Sequence, residues 1–299
     1  MWFILALITL LFWSGSDLMS KIGCQSATER KASLKMVVAV GLVFGVHACY
    51  SIFIEGVEFN LQVVWQYLPV SLLYISSMLM GYIALKYIEL SISSPICNTS
   101  GGIVLLIYLL RGETIGTGAS IALIFVLLGI FGLGYAEYIE DPEKRIARQL
   151  ESNRRYTKSW LALILPFVYC ILDALGTFGD TIILETLDEK VANTAYEVTF
   201  FAVGLLVFLY LAIFKKAELT IKTDAAKLLG GTFETIGQFC YIFAISKNPV
   251  QAPPIISAYC VASVIWSRII LKEKLSLKHY IAITFAVIGI VMMGIYAED

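Results

Sequence analysis

The sequence predicts an all-α integral membrane protein with ten transmembrane helices, arranged as two inverted five-helix repeats. Three observations lead to this prediction: long apolar blocks, an internal repeat at a constant offset, and a one-sided distribution of basic residues. The 299 residues are 59% hydrophobic and 15% charged, and their mean hydropathy is +0.81. A water-soluble domain carries about 25% charged residues. The composition therefore indicates a chain that resides in a membrane.

Ten apolar blocks are each long enough to cross the bilayer as a helix, which requires about 20 residues. The first block has no basic leader and is too long for the core of a signal peptide, so it is interpreted as the first span. The blocks cover approximately residues 2–20, 36–54, 64–85, 91–110, 119–138, 160–182, 193–214, 226–246, 250–271 and 279–296.

Residues 84–135 align without a gap with residues 244–295, at an offset of 160, and ten of these 52 positions are identical. The identical pairs include Ala84/Ala244, Ile96/Ile256, Glu113/Glu273, Gly129/Gly289 and Gly134/Gly294. Because the offset covers five blocks, an odd number, the second copy is inverted in the membrane relative to the first. The predicted organisation is a first five-helix repeat over 1–138, a cytoplasmic linker over 139–158 and a second five-helix repeat over 159–299.

Alternation across ten spans places 19 of the 22 Lys and Arg residues on one side; the exceptions are Arg111, Lys190 and Lys247. Basic residues in short loops stay in the cytoplasm. Both termini are therefore expected outside the cytoplasm, in a multi-pass protein of a prokaryotic plasma (inner) membrane. The loop after Glu113 has no lysine, whereas the equivalent loop after Glu273 reads Lys-Leu-Ser-Leu-Lys. This contrast is expected if the two loops lie on opposite sides.

Two equivalent motifs resemble the halves of EamA-type members of the drug/metabolite transporter superfamily. They read ALKYIELSISSPI…LLRGETI and AISKNPVQAPPII…ILKEKLS, and each precedes an apolar helix of the type IAxxFxxxGIxxxG. The stretch LFWSGSDLMSK in the first block is similar to the Trp-Gly-containing first helix of that family. The resemblance covers nearly the whole chain. It implies a secondary carrier of small metabolites.

The chain departs from the pattern of that family in its prolines and in its orientation. The family often has a proline about thirteen residues before the Glu of each motif, where this chain has Ser100 and Cys260. Its prolines lie earlier, at Pro95 and at Pro253-Pro254, where they are expected to begin or bend the fourth and ninth spans. Many relatives also place their termini in the cytoplasm, whereas the basic residues of this chain place them outside.

Polar residues inside the apolar blocks mark the candidate substrate site, because an ionisable group in hydrocarbon is costly to keep. Asp173 lies near the middle of the sixth block and forms a helical stripe with Tyr169, Thr177 and Asp180. Glu234 begins a similar stripe in the eighth block. The predicted substrate-binding residues are Trp13, Asp17, Tyr74, Asn98, Thr99, Tyr169, Asp173, Thr177, Glu234, Gln238 and Tyr241.

Two roles are open for the acidic residues of these stripes. In the functional interpretation, Asp173 or Glu234 binds a proton or a cationic part of the substrate, beside an aromatic wall of Trp13, Tyr74 and Tyr241. A cation over such rings gains roughly 0.5–2 kcal/mol. In the structural interpretation, each acid caps a helix or pairs with a buried donor that holds the bundle together.

Other titratable residues are expected to serve the structure. Asp180 and Glu197 are placed nearer the outer surface, and His47 is expected to be satisfied by a neighbour within the second span. Glu113 and Glu273 end their spans, where they favour a role in helix packing or orientation.

The leading functional hypothesis is a secondary transporter that works by alternating access and exports amino-acid-like or amphiphilic metabolites. Its alternative is proton-coupled efflux of cationic drugs, and minor alternatives are an intramembrane enzyme or a non-transporting sensor. No Walker-type phosphate loop or metal-ligand spacing is present in the sequence. We therefore predict no catalytic residues, no metal and no cofactor. The predicted partners are a small-molecule substrate, the lipid bilayer and protons, without nucleic acid.

Overall fold

A computed structural model of the chain describes residues 1–24, 31–87, 89–138, 160–215, 220–273 and 275–296. The regular secondary structure within these ranges is entirely α-helical. Its helices are α1 (Trp2–Cys24), α2 (Ala32–Phe53), α3 (Leu61–Tyr87), α4 (Leu90–Cys97), α5 (Ser100–Leu110), α6 (Thr117–Tyr138), α7 (Trp160–Ile183), α8 (Glu189–Lys215), α9 (Ile221–Lys247), α10 (Ala252–Ser257), α11 (Tyr259–Ile269) and α12 (Leu277–Tyr296).

Ten segments of the described chain are long and apolar enough to cross a membrane, which confirms the predicted number of spans. In chain order, spans 1–3 are α1–α3, span 4 combines α4 and α5, and span 5 is α6. Spans 6–8 are α7–α9, span 9 combines α10 and α11, and span 10 is α12. Helices suit this environment because each pairs its backbone N–H and C=O groups internally, where no water can replace them. The predicted linker over 139–158 falls outside the described residues.

Spans 4 and 9 are both interrupted near their centres. Span 4 breaks at Asn98, between α4 and α5, and span 9 breaks at Ala258, between α10 and α11. These two positions are 160 residues apart, which is the offset of the internal repeat. Pro95 lies inside α4, three residues before the first break, and Pro253 lies in the first turn of α10. A break at the same place in each half frees backbone groups near mid-membrane.

The two interrupted spans touch through their backbones beside the breaks. The Gly101 N–H donates a hydrogen bond to the Ser257 hydroxyl, at 3.1 Å. A Cβ atom added to Gly101 would lie 2.6 Å from the carbonyl oxygen of Pro253. Glycine is therefore required at this crossing, because any side chain would push α5 away from α10.

Each main pair of packed spans joins one span of the first half to one span of the second half. Span 1 packs on span 8, span 3 on span 6, span 2 on span 7 and span 5 on span 10. The repeat relates span 1 to span 6 and span 3 to span 8. The contact of span 1 with span 8 and that of span 3 with span 6 are therefore equivalents of one another.

Spans 5 and 10 show this reciprocity residue by residue. A Cβ on Gly129 would lie 2.6 Å from the backbone nitrogen of Ala286, and a Cβ on Gly289 would lie 2.6 Å from that of Val126. Gly129 and Gly289 are 160 residues apart, and so are their contact residues Val126 and Ala286. The two contacts are therefore equivalent under the repeat. The rings of Phe125 and Phe285, also repeat equivalents, lie 5.6 Å apart. An internal two-fold axis would produce such contacts, which supports the predicted inverted repeat.

The bundle presents an apolar exterior and buries polar side chains together with an apolar core. Large hydrophobic side chains such as Leu42, Leu106, Leu206, Ile213 and Val291 are exposed on its periphery. In water such a surface would associate, but in a membrane it contacts lipid chains. The chain is a multi-pass membrane protein, and many of its polar side chains are buried among its spans.

Candidate functional site

A polar cavity lies at the centre of the bundle, with side chains from spans 1, 3, 4, 6, 7, 8 and 9 in its wall. Its unfilled volume is about 920 Å³ and includes a part that is open to solvent. Spans 4 and 9 reach the cavity at their interruptions, through Asn98 and Ser257. A cavity between two helical halves is where a carrier with repeated halves binds its substrate.

Ten of the eleven predicted site residues line this cavity. They are Trp13, Asp17, Tyr74, Asn98, Tyr169, Asp173, Thr177, Glu234, Gln238 and Tyr241. The helical stripes explain the agreement, because residues three or four apart share one face of a helix. Their role in binding stays a prediction, whereas their convergence is a feature of the structure.

Thr99 is the predicted residue that the cavity does not include. Its hydroxyl donates a hydrogen bond to the carbonyl oxygen of Ile96, at 2.9 Å, and lies 2.9 Å from the Cys170 sulfur. Thr99 directly follows Asn98 at the break in span 4 and turns toward span 6 instead. A plain helical periodicity across the break gave no indication of this turn.

Three carboxylates from three different spans border the cavity: Asp17, Asp173 and Glu234. One oxygen of Asp17 accepts hydrogen bonds from the hydroxyls of Ser94, at 2.6 Å, and Ser263, at 2.9 Å. The hydroxyl of Ser100 lies beside the Asp173 carboxylate, and that of Ser16 lies beside the Glu234 carboxylate. Hydroxyl groups thus stabilise each acid without neutralising its charge.

Among the described residues, those that line the cavity include no lysine, arginine or histidine. Up to three negative charges therefore face the same space, with no basic counterpart in the described part of its wall. A region of low dielectric strengthens the resulting negative potential. A wall of this charge favours cations over anions.

Aromatic rings form one side of the cavity. The Trp13 ring lies 4.9 Å from the Tyr241 ring and 5.8 Å from the Tyr259 ring, measured between centroids. Gly237 makes room for this cluster, because a Cβ there would lie 2.7 Å from the Trp13 indole nitrogen. The Tyr74 ring lies 6.4 Å from Tyr241 and completes the predicted aromatic wall. Such rings bind a cation through their faces.

Sequence reasoning missed several residues of the wall, chiefly Ser94, Tyr196, Ser257 and Tyr259. Ser94 could have been found from its spacing, since it precedes the predicted Asn98 by four residues on the same helix. Tyr196 and Tyr259 gave no such signal. Tyrosine in an apolar span more often packs in the core, and only the packing of spans 7 and 9 brings these two to the cavity.

Four other acidic residues that the sequence singled out do not line the cavity: Glu113, Asp180, Glu197 and Glu273. Glu197 accepts hydrogen bonds from His47, at 2.8 Å, and from Asn193, at 2.9 Å, so His47 has the neighbour that was expected. Asp180 and Glu197 are both fully buried within the bundle. Their expected position nearer the outer surface of the membrane stays a prediction. Glu273 is also buried, whereas Glu113 is exposed.

Within the described ranges, no group of three or more His, Cys, Asp or Glu side chains is arranged to hold a metal ion. Asp173 and Asp180 share α7 but lie in different surroundings, the first at the cavity and the second in a cluster of tyrosines. The arrangement can bind and release a charged solute or a proton.

Comparison with known proteins agrees with the fold. The model of the EamA-like transporter family matches residues 160–295. No curated protein matches the chain. Among solved structures, one described as the crystal structure of a protein is similar, with a TM-score of 0.67 and 13% identity. That similarity covers 99% of this chain and 97% of the other, and at this identity it concerns the fold alone.

Proposed function

We propose that the protein is a secondary carrier of small organic cations, because the model of the EamA-like transporter family matches its second half, residues 160–295. The family consists of membrane transporters of small solutes within the drug/metabolite transporter superfamily. The proposal adds the charge of the solute and the alternating-access mechanism to that assignment.

The proposal depends above all on the charge of the cavity wall. Asp17, Asp173 and Glu234 face one space without a basic partner among the lining residues that the structure describes. A substrate with a carboxylate or phosphate would lose its hydration there and meet like charges, which disfavours it strongly. An amine or quaternary ammonium group would instead pair with the carboxylates and contact the rings of Trp13 and Tyr241.

This argument separates the two transport hypotheses that the sequence left open. An amino-acid-like substrate carries a carboxylate as well as an amine, and the described part of the wall offers its carboxylate no cationic side chain. Cation transport is therefore favoured over transport of zwitterions. Export remains the predicted direction.

Alternating access would follow from the relation between the halves. The contacts of spans 5 and 10 are reciprocal, and spans 4 and 9 are interrupted at equivalent positions. Two halves related in this way can exchange conformations about a central site, so that the cavity opens to each side in turn. The interruptions at Asn98 and Ala258 supply backbone that can adjust during this change.

Transport in proteoliposomes tests the proposal directly. Full-length protein would be reconstituted, and uptake of radiolabelled benzyltrimethylammonium, phenylalanine and benzoate would be compared with that of protein-free liposomes. These probes share one ring and differ in charge: cation, zwitterion and anion. We expect saturable uptake of the cation and no uptake of the other two. Uptake of phenylalanine without the cation would instead support the amino-acid hypothesis, and uptake of benzoate would contradict the charge argument.

Proton coupling can be measured in the same vesicles. If a carboxylate at Asp173 or Glu234 exchanges a proton for the cation, an opposing proton gradient should drive accumulation of benzyltrimethylammonium. Collapse of the gradient with a protonophore should abolish that accumulation. Equal uptake with and without the proton gradient would show that the carrier catalyses only facilitated diffusion of cations.

The orientation predicted from the basic residues can be checked by labelling single cysteines in intact cells. Glu58 and Lys222 are both exposed and lie on opposite faces of the bundle, in the loop before α3 and at the start of α9. With the termini outside, a membrane-impermeant maleimide should label Glu58→Cys and leave Lys222→Cys unlabelled until the membrane is permeabilised. The reverse pattern would overturn the predicted orientation.

A further inference from the structure

A buried carboxylate, Asp180, joins three spans at one end of the cavity. Its oxygens accept hydrogen bonds from the hydroxyls of Tyr67, Tyr74, at 2.7 Å, and Tyr241, at 3.0 Å. Neither Asp180 nor Tyr67 has any exposed surface. A carboxylate this enclosed is stable only if its oxygens are satisfied. The three hydroxyls therefore hold span 6 against spans 3 and 8.

Two of the three tyrosines also belong to the cavity wall. Tyr74 and Tyr241 line the cavity, and their hydroxyl oxygens lie 2.5 Å apart. The Tyr74 hydroxyl is also 3.0 Å from that of Thr177, another lining residue. Asp180 does not line the cavity itself. It acts on the cavity through the two tyrosines, whose rings it holds in position.

Asp180 has an equivalent in the first half, Asp17. The two are 163 residues apart, and the same spacing relates residues 39–42 to residues 202–205, which both read Ala-Val-Gly-Leu. The early spans of the two halves therefore align at an offset of 163, three more than the later spans. This relation places an aspartate at the same position in span 1 and in span 6.

The packing of spans 2 and 7 shows that this offset is structural. A Cβ on Gly41 would lie 2.9 Å from the carbonyl oxygen of Phe200, and a Cβ on Gly204 would lie 3.4 Å from that of Val37. Gly41 and Gly204 are 163 residues apart, as are Val37 and Phe200. The two glycine contacts are therefore equivalent under this offset, as the contacts of spans 5 and 10 are under the offset of 160.

The two aspartates lie at opposite ends of the cavity and bind different spans. Asp17 is four residues before Lys21, at the end of α1 that faces the lysine-rich side, and its hydroxyl partners come from spans 4 and 9. Asp180 lies three residues before the end of α7, on the side that has few basic residues. Asp180 is fully enclosed, whereas Asp17 borders the open cavity.

We propose that Asp180 is a positioning residue that closes the cavity on the side with few basic residues. While its three hydrogen bonds hold, Tyr74 and Tyr241 seal that end and present their rings to the bound cation. When they break, spans 3 and 8 separate from span 6 and the cavity opens there, while Asp17 performs the equivalent closure on the lysine-rich side. This inference rests on the proposed carrier function and adds the residues that control access.

Side-specific labelling of the cavity tests the closure. Thr177→Cys would serve as reporter in a background without the six native cysteines, with a membrane-impermeant, cationic methanethiosulfonate applied to either side. The side is defined by which face labels Glu58→Cys, so the result does not depend on the predicted orientation. Asp180→Asn should raise the labelling rate from the Glu58 side by about tenfold or more, since hydrogen bonds to a charged acceptor are strong ones. The rate from the other side should not rise.

Two further variants complete the test. Tyr67→Phe deletes one hydroxyl outside the cavity and should raise the labelling rate from the Glu58 side by a smaller factor. If Asp180→Asn fails to insert into the membrane, Tyr67→Phe alone tests the closure. Glu185→Gln removes an exposed acid just beyond α7 and should change nothing. Rates within twofold of the parent in both test variants, or an equal rise from both sides, would overturn the proposal. The labelling assay needs no substrate, so its result is independent of the proposed substrate. If the protein does not transport the cation but the labelling rate rises from one side only, the proposed substrate is wrong and the proposed closure is supported.

Discussion

Asp173→Asn is expected to lower benzyltrimethylammonium uptake by about 30-fold or more, and Glu234→Gln is expected to do the same. Each substitution keeps the size of the side chain and removes a carboxylate that borders the cavity. Truncating one partner of a buried, hydrogen-bonded charge pair costs about 2–5 kcal/mol, and a factor of ten corresponds to about 1.4 kcal/mol. The measurement is the initial rate of uptake in proteoliposomes at several substrate concentrations.

Glu185→Gln provides the matched control, because Glu185 is exposed beyond the end of α7 and away from the cavity. It should transport like the parent protein. The two test variants also separate binding from coupling. A variant that has lost the coupling proton should still equilibrate the cation but should no longer accumulate it in a proton gradient. If both variants retain uptake and gradient-driven accumulation, the two carboxylates serve only the structure.

Gly101→Ala is expected to destabilise the protein strongly, despite the small change in size. The new Cβ would lie 2.6 Å from the carbonyl oxygen of Pro253, a backbone atom that can move only with α10. Overpacking of this kind typically costs about 1–3 kcal/mol, and here it would also break the hydrogen bond from Gly101 to Ser257. The measurement is the thermal unfolding midpoint of the purified protein in detergent.

Gly134→Ala is the matched control for this substitution. Gly134 lies within α6, and a Cβ there would meet no atom within 4 Å. Alanine favours a helix over glycine by about 1 kcal/mol, so the control should unfold at the same or a higher temperature. Equal midpoints for the two variants would show that spans 4 and 9 do not depend on close contact at Gly101.

The architecture could be predicted from the sequence because the bilayer restricts it severely. Hydrocarbon requires runs of about 20 apolar residues, so the ten spans are visible as blocks. The offset of 160 was equally visible, but the offset of 163 that relates Asp17 to Asp180 was not found. Only the reciprocal contact of Gly41 with Gly204 shows that the early spans follow this second register.

The cavity residues could be predicted in large part for a similar reason. Polar groups in a membrane span avoid lipid, so Asp173, Glu234 and their helical neighbours were expected to face inward. Thr99 was predicted to face the cavity but does not line it, because the helix is interrupted beside it and the helical periodicity ends there. Tyr259 was not expected, because its approach to Trp13 depends on how span 9 packs against span 1.

The sequence by itself determined the membrane location, the number of spans and the carboxylates that a binding site would use. Hydropathy and helical periodicity are local properties, and a bilayer translates them directly into length and facing direction. Only the tertiary structure decided which acids share one space. It separated Asp173, at the cavity, from Asp180, in a tyrosine cluster two turns along the same helix. That distinction depends on which neighbouring spans cover each turn, and contacts between distant segments leave no periodic signal in the chain.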